Sequence, residues 1–246
     1  MNSAVAWLRR SFLLCILLVT VLPAQSQVLR LNSGVGVPYL QDDRKGFLDL
    51  LIPEVFRRLG IQAEGVRYAG AERAMINANT GIDDGVALRI KGLEKTYPNL
   101  VRIDEKIIDN DFIAYSTRFD FATTSFDTLK NYQVGYINGW KIFESGLLPE
   151  TPATKVQDAE QLFTLLANDR ADLVLFERWQ GNHILRERGI KAQALRPALV
   201  TTEMFMYLHT KHMHLVEPAA QALRAMKADG SYQRIALQSL PGYGKK

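Results

Sequence analysis

The sequence predicts an α/β protein with largely parallel sheets, and three observations predict it. Short apolar strand candidates alternate with amphipathic helical stretches throughout the chain after residue 27. The alternation starts again after residue 130, with no repeat, low-complexity tract or long linker between the halves. Residues 1–27 stand apart from it, with the order of an export signal rather than of a folded element.

In that leader, Arg9 and Arg10 form a positive start and Phe12 to Leu22 is apolar apart from Thr20. Pro23 breaks the run, and Ala24-Gln25-Ser26 offers small residues for cleavage after Ser26. A membrane anchor needs ~20 apolar residues, more than this run supplies. The single cysteine, Cys15, lies inside the run, where a lipoprotein site would not be. Removal of residues 1–26 leaves no cysteine, which excludes disulfides, thiolate nucleophiles and cysteine metal sites. Of the 30 Lys and Arg, 28 remain against 26 Asp and Glu, a net charge of +2. Acids and bases are interspersed, so a sequence pI of 9.1 does not mark nucleic-acid binding. The expected product is a soluble periplasmic protein.

Val28–Leu31 reads as a strand, followed by the turn-rich Asn32 to Pro38. Gly46–Leu59 carries a helical apolar stripe, and Pro53 fits best if the regular helix starts near Leu50. Ile61–Val66, Gly85–Leu88, Val101–Ile103 and Phe112–Tyr115 are strand candidates, with a short helix over Ala71–Asn79. In the second half Tyr132–Ile137 is a strand and Gly139–Ser145 starts a helix. Asp158 and Gln161 cap a helix leading to the buried strand Asp172–Phe176. Arg178–Arg188 is helical, Met204–Leu208 a strand, and Leu215–Ala228 and Tyr232–Leu240 are closing helices around Asp229-Gly230.

Several chemistries find no foothold. Gly34-Val35-Gly36-Val37-Pro38 has neither dinucleotide nor phosphate-loop spacing. There is no G-x-S-x-G and no H-E-x-x-H. His209, His212 and His214 superficially suggest a metal site, but read as solvated histidines after a strand.

The motifs in order resemble the family 3 extracellular solute-binding proteins, best known as polar-amino-acid receptors of ABC importers. Pro38-Tyr39 before Gly46-Phe47-Leu48-Asp49-Leu50 is similar to the family's opening loop and helix. Gly81-Ile82-Asp83-Asp84-Gly85 resembles the start of its next strand, and Leu129 to Trp140 its second-lobe opening. Val156 to Glu177 resembles its capped helix, Asp-led strand and terminal acid, and Lys227 to Tyr232 its closing segment. The resemblance covers essentially the whole chain after the leader. It implies a type II, two-lobed periplasmic-binding-protein-like fold joined by two crossover strands. Lobe 1 would comprise 28–116 and 204–246, and lobe 2 would comprise 117–203, with the ligand between them.

A closing cleft must supply counter-charges, because an unpaired buried charge is costly. Arg89, following a first-lobe strand, is the candidate carboxylate clamp; its plain alternative is an ion pair with Glu94 or Asp84. The family's usual T-x-x-R is replaced here by Lys95-Thr96-Tyr97-Pro98, so Arg89 either substitutes for that arginine or the ligand is not an α-amino acid. The resemblance makes Glu177 the acid for a ligand amine, against an exposed pairing with Arg178. Tyr39 is the aromatic of the first cleft loop, against ordinary packing. Asn138, Gly139 and Trp140 open a helix whose N–H groups would bind an anion, with Trp140 as a stacking ring or a packed one.

The expected protein is a monomeric, non-enzymatic receptor for a small polar ligand, an amino acid or related carboxylate. It would need no cofactor, bind no nucleic acid, and meet the membrane only through an ABC permease or a membrane sensor. The alternative is a periplasmic lyase on the same scaffold, similar to cyclohexadienyl dehydratases. Export is directly testable: N-terminal sequencing of the secreted product should start at Gln27 or within two residues of it. A product retaining Phe12–Leu22 in the membrane would contradict cleavage.

Overall fold

The computed structural model describes residues 28–68 and 70–244. The expected signal peptide, residues 1–26, lies outside them. The first half runs β1 (Leu29–Ser33), α1 (Phe47–Arg57), β2 (Ala63–Arg67), α2 (Ala71–Asn79), β3 (Gly85–Arg89), β4 (Leu100–Arg102) and β5 (Ile108–Ser116). There follow β6 (Val134–Ile137), α3 (Lys141–Gly146), β7 (Ala153–Val156), α4 (Ala159–Ala167), β8 (Leu173–Glu177), α5 (Arg178–Glu187) and β9 (Gln193–Ala194). The chain then returns through β10 (Val200–His209), α6 (Val216–Ala228) and α7 (Ser231–Ser239). No helix among the described residues is long and apolar enough to cross a membrane.

The strand order is β2-β1-β3-β10-β5-β8-β6-β7, with β4 added to β10 and β9 to β5. β1 is parallel to β2 and β3, and β6 is parallel to β7 and β8. Among the described strands, β5 and β10 alone join these two parallel units, pairing antiparallel from Val200↔Phe112 to Met204↔Ile108. The architecture is therefore two lobes on a two-strand joint. Lobe 1 buries Phe47, Leu48, Leu51, Ile52 and Phe56 of α1 with Leu223 and Met226 of α6 against Leu31, Leu88 and Met206. Lobe 2 packs both sheet faces, with Tyr115, Phe163 and Phe176 on one and Phe143, Leu173 and Leu175 on the other.

α1 begins three residues earlier than Pro53 suggests, leaving the proline inside the helix. Its early turn is secured from outside: Asp49 Oδ2 accepts the N–H groups of Gln41 (2.8 Å) and Gly46 (3.1 Å). Phe47 and Leu48 donate to the carbonyls of Pro38 and Tyr39 at 2.9 and 2.8 Å. Both side chains are fully buried, worth ~1.5–3 kcal/mol each. Together they offset the ~3 kcal/mol cost of an interior proline. β5 and β10 extend past their apolar cores because the polar stretches 109–111 and 201–203 pair with each other. β7, a mostly exposed edge strand, has no sequence signal of its own. Gly85 is required by close approach, since a Cβ there would lie 2.2 Å from the Tyr207 carbonyl oxygen of β10.

The lobes also meet away from the joint. Trp179 of α5 inserts into the lobe 1 core and is 7% exposed. Its Nε1 donates to the Asp109 carbonyl at 3.2 Å, and its ring lies 5.8 Å from that of Tyr243. Asn182 Nδ2 donates to the Pro241 carbonyl at 3.2 Å. Replacing Trp179 with alanine should cost about 3–5 kcal/mol of unfolding free energy, measured by urea denaturation, with Trp179→Phe losing much less. A loss below about 1 kcal/mol for the alanine variant would show that α5 does not anchor lobe 2 to lobe 1.

Candidate ligand-binding cleft

Arg89 owes its placement to a break in the β3–β10 ladder. Leu208 and Tyr207 face Gly85 and Val86, but Phe205 faces Arg89, so two steps on β10 match three on β3. The extra residue makes a bulge, a device that re-aims side chains next to it. Leu88, just before Arg89, has φ +59° and is 1% exposed. That left-handed backbone costs a non-glycine residue ~1–2 kcal/mol, held in place by the burial of the leucine. Beyond the bulge, the Arg89 guanidinium lies against α2. Nε donates to Met75 Sδ at 3.1 Å and Nη1 lies 3.4 Å from the Leu88 carbonyl oxygen. Nη2 is enclosed and meets no acceptor. The expected alternative partners do not serve it. Asp84 takes Lys211 at 2.8 Å, His212 at 2.7 Å and the Arg30 N–H at 2.8 Å, and no ion pair joins Arg89 to Glu94. Burial lowers the Arg89 pKa, yet a guanidinium stays charged in proteins. The result is a half-buried cation with one enclosed, unused donor.

Glu177 ends β8 and is 1% exposed, not an open acid beside Arg178. It caps α5: Oε1 accepts the Trp179 N–H and Oε2 the Gln180 N–H, each at 3.0 Å. The Tyr39 hydroxyl approaches Oε1 at 3.1 Å and Asn110 Oδ1 at 2.9 Å. Tyr39 is itself fully buried, packed edge-on to Phe47 in lobe 1. One buried cluster thus ties the first loop of lobe 1, the crossover strand β5 and the end of β8. Burial raises the Glu177 pKa to about 7, against the lowering effect of the two backbone N–H groups and Tyr39. Burial and the neighbouring Glu177 together push the Tyr39 hydroxyl well above its ordinary range. Arg178 instead reaches Asp111 of β5 at 2.5 Å, and Thr201 of β10 donates to the same carboxylate at 2.6 Å.

Asn138 and Gly139 are exposed at the end of β6, and Gly139 has φ +84°, where glycine carries no Cβ penalty. The Gly139 N–H is occupied by Glu144 Oε1 at 3.0 Å, so the protein's own carboxylate stands where an anion was expected. Lys141 holds that carboxylate at 2.7 Å, and α3 spans only six residues. Trp140 is half-buried, stacked on Phe176 (4.8 Å) and Phe143 (5.7 Å), with Phe112 edge-on at 6.1 Å. His212 departs from the expected free surface histidine, because the fold brings Asp84 against it from 128 residues away.

A cavity of ≈ 410 Å³ lies between the lobes beside the crossover strands, lined by Asp109, Asp111, Arg178, Trp179, Tyr232 and Tyr243 among others. None of the six residues expected at the site lines it. Its charges are largely matched internally, as in the Arg178–Asp111 and Lys106–Asp109 pairs. Asn110, Arg178 and Trp179 escaped sequence reasoning because only strand pairing and α5 packing give them neighbours. The polar run 109–111 was the available signal.

No family model matches the sequence. An uncharacterised Shewanella oneidensis protein is 27% identical over 216 residues, covering 83% of this chain and 81% of that one. The second substrate-binding domain of a putative amino acid ABC transporter from Streptococcus pneumoniae superposes with a TM-score of 0.68. It is 16% identical, over 87% of this chain and 99% of that one. A Nostoc punctiforme ligand-binding core in complex with L-glutamate gives 0.66 at 17% identity, over 86% and 98% of the two chains. A histidine kinase sensor domain similar to periplasmic binding proteins gives 0.66 at 15%, over 87% and 95%. This chain has the two-lobed periplasmic-binding-protein fold.

In a periplasmic-binding-protein fold the carboxyl ends of parallel strands face the interlobe crevice, where ligands bind. Arg89 stands at such an end in lobe 1, and Glu177 and Asn138 stand at or just beyond such ends in lobe 2. The Glu177 cluster makes stability depend on pH. Between about pH 4.5 and 7 the folded carboxyl keeps a proton that the unfolded chain has released, so stability falls as pH rises through that window. The loss from this group is at most about 3 kcal/mol and levels off above pH 7. Urea titrations of wild type and Glu177→Gln at pH 5, 6, 7 and 8 should show the variant gaining relative stability with pH. Parallel curves would show that Glu177 titrates normally in the folded protein.

Proposed function

We propose that the protein is a periplasmic solute-binding protein that captures a small carboxylate-bearing ligand by closing its lobes. The moving units would be residues 28–116 with 204–246 and residues 117–203. The single observation that carries this reading is the enclosed Arg89 Nη2 with no acceptor, presented at a strand end by a strained bulge. Buried donors are normally satisfied, and a missing partner of the right charge is the simplest completion of this one. Lobe 2 would contribute the stacked Trp140 surface and the exposed Asn138–Gly139 turn, with Tyr39 and Glu177 supporting the cleft from within. The bound form would be delivered to an ABC permease or read by a membrane sensor, the two settings in which the superposed proteins are described. The position of Glu177 favours binding over lyase chemistry, since a general acid or base must reach the substrate proton and this carboxyl is enclosed as a helix cap.

Arg89→Ala should weaken binding by ~2–5 kcal/mol, roughly thirty- to several-thousand-fold. Calorimetry with L-amino acids and short carboxylates, guided by native mass spectrometry of periplasmic protein, measures it. Small-angle scattering of the wild type with saturating ligand should show a smaller radius of gyration. Unchanged affinity in the variant would remove Arg89 from the site, and an unchanged radius would count against lobe closure.

A further inference from the structure

We propose that the cleft selects carboxylates that carry no ammonium group, so that the ligand is an organic acid rather than an amino acid. This rests on the reading of Arg89 as the ligand's cationic clamp. The inference comes from the unequal state of the charges around the cleft. On the positive side, Arg89 has no acid partner among the described residues and an enclosed donor to spare. On the negative side, each carboxylate near the carboxyl ends of the strands is already engaged, and Asp83, whose buried Oδ1 meets no donor, lies at the opposite end of β3. Glu177 is 1% exposed, and its two oxygens hold the Trp179 and Gln180 N–H groups and the Tyr39 hydroxyl. Freeing it for a ligand would uncap α5 and break its contact with Tyr39 of lobe 1.

The other acids are no more available. Asp111 is held by Arg178 and Thr201, and Asp109 by Lys106. Glu144 lies on the Gly139 N–H with Lys141 and Lys155 beside it. Glu72 is exposed and accepts from the Tyr97 hydroxyl at 3.3 Å. An exposed carboxylate attracts a cation weakly because water screens it. An α-ammonium drawn into a closing cleft would therefore give up its water for no buried anion. Removing the amine removes that penalty and leaves the carboxylate on Arg89 intact. The raised pKa of Glu177 points the same way, because a carboxyl that is partly neutral near pH 7 is a poor counter-charge.

The test uses matched pairs that differ by the amine: L-glutamate with 2-oxoglutarate and glutarate, L-aspartate with succinate, and L-phenylalanine with 3-phenylpropionate. Calorimetry at pH 7.5 on the wild-type protein should find at least one amine-free member binding ten-fold or more tighter than its amino acid. That binding should be lost in Arg89→Ala. Equal or tighter binding of the amino acids overturns this proposal while leaving the solute-binding reading in place. Binding that survives Arg89→Ala overturns both, because the clamp is then elsewhere. Absence of binding by every acid in the panel overturns the carboxylate reading on which the proposal stands.

Discussion

Five consecutive pairings between β5 and β10, from Phe112 with Val200 to Ile108 with Met204, are the sheet contact on which both lobes depend. Among the described residues, the elements before β5 and after β10 build one lobe, and those between them build the other. A two-strand antiparallel ribbon twists and bends more readily than a wide sheet. Its polar residues are what make the joint distinctive: Asn110 and Asp111 are both buried, and each is committed to a partner from another element. A buried polar group that loses its partner costs ~1–3 kcal/mol, so the joint resists fraying while remaining narrow.

Contacts beside the joint divide the interface between the lobes unevenly. At the start of α5, Trp179 is packed into lobe 1, Asn182 bonds Pro241, and Arg178 bonds Asp111. The Tyr39–Asn110–Glu177 cluster adds a buried polar tie. Among the described residues, by contrast, Arg89 and the Asn138–Trp140 turn make no hydrogen bond or ion pair with the opposite lobe. The direct contacts between the lobes are thus concentrated at the α5 edge. The charges at the two strand ends differ as well. Glu177 is buried and fully bonded, whereas Arg89 is half-buried and its enclosed Nη2 lacks an acceptor.

Much of the fold was legible in the sequence. The capped helix after Asp158 is present, with Asp158 accepting the Gln161 N–H at 2.8 Å. The buried run 173–176 is a central strand, and the amphipathic stretch 216–228 packs on α1. Such elements are encoded by local periodicity and turn residues, which need no knowledge of neighbours. Where prediction slipped, tertiary contacts overrode a local rule. Pro53 sits inside α1 because Asp49 and the Pro38 and Tyr39 carbonyls supply the early turn. β7 is a strand because β6 offers it an edge.

The candidate site shows the same division more sharply. By itself the sequence determined the α/β alternation, the two-part organisation and the residue types at the strand ends, because hydrophobic period and turn chemistry are local properties. Only the tertiary structure decided which of those residues are free. Arg89 and Glu177 look equally suited to a ligand in one dimension, each following a short apolar strand. In three dimensions the β3 bulge leaves Arg89 short of an acceptor, while α5 and Tyr39 saturate Glu177. Whether a charge is satisfied depends on partners far apart in the chain, 138 residues for Tyr39 and Glu177. No local pattern encodes such a partner, since hydrogen bonding and desolvation act through space and not along sequence.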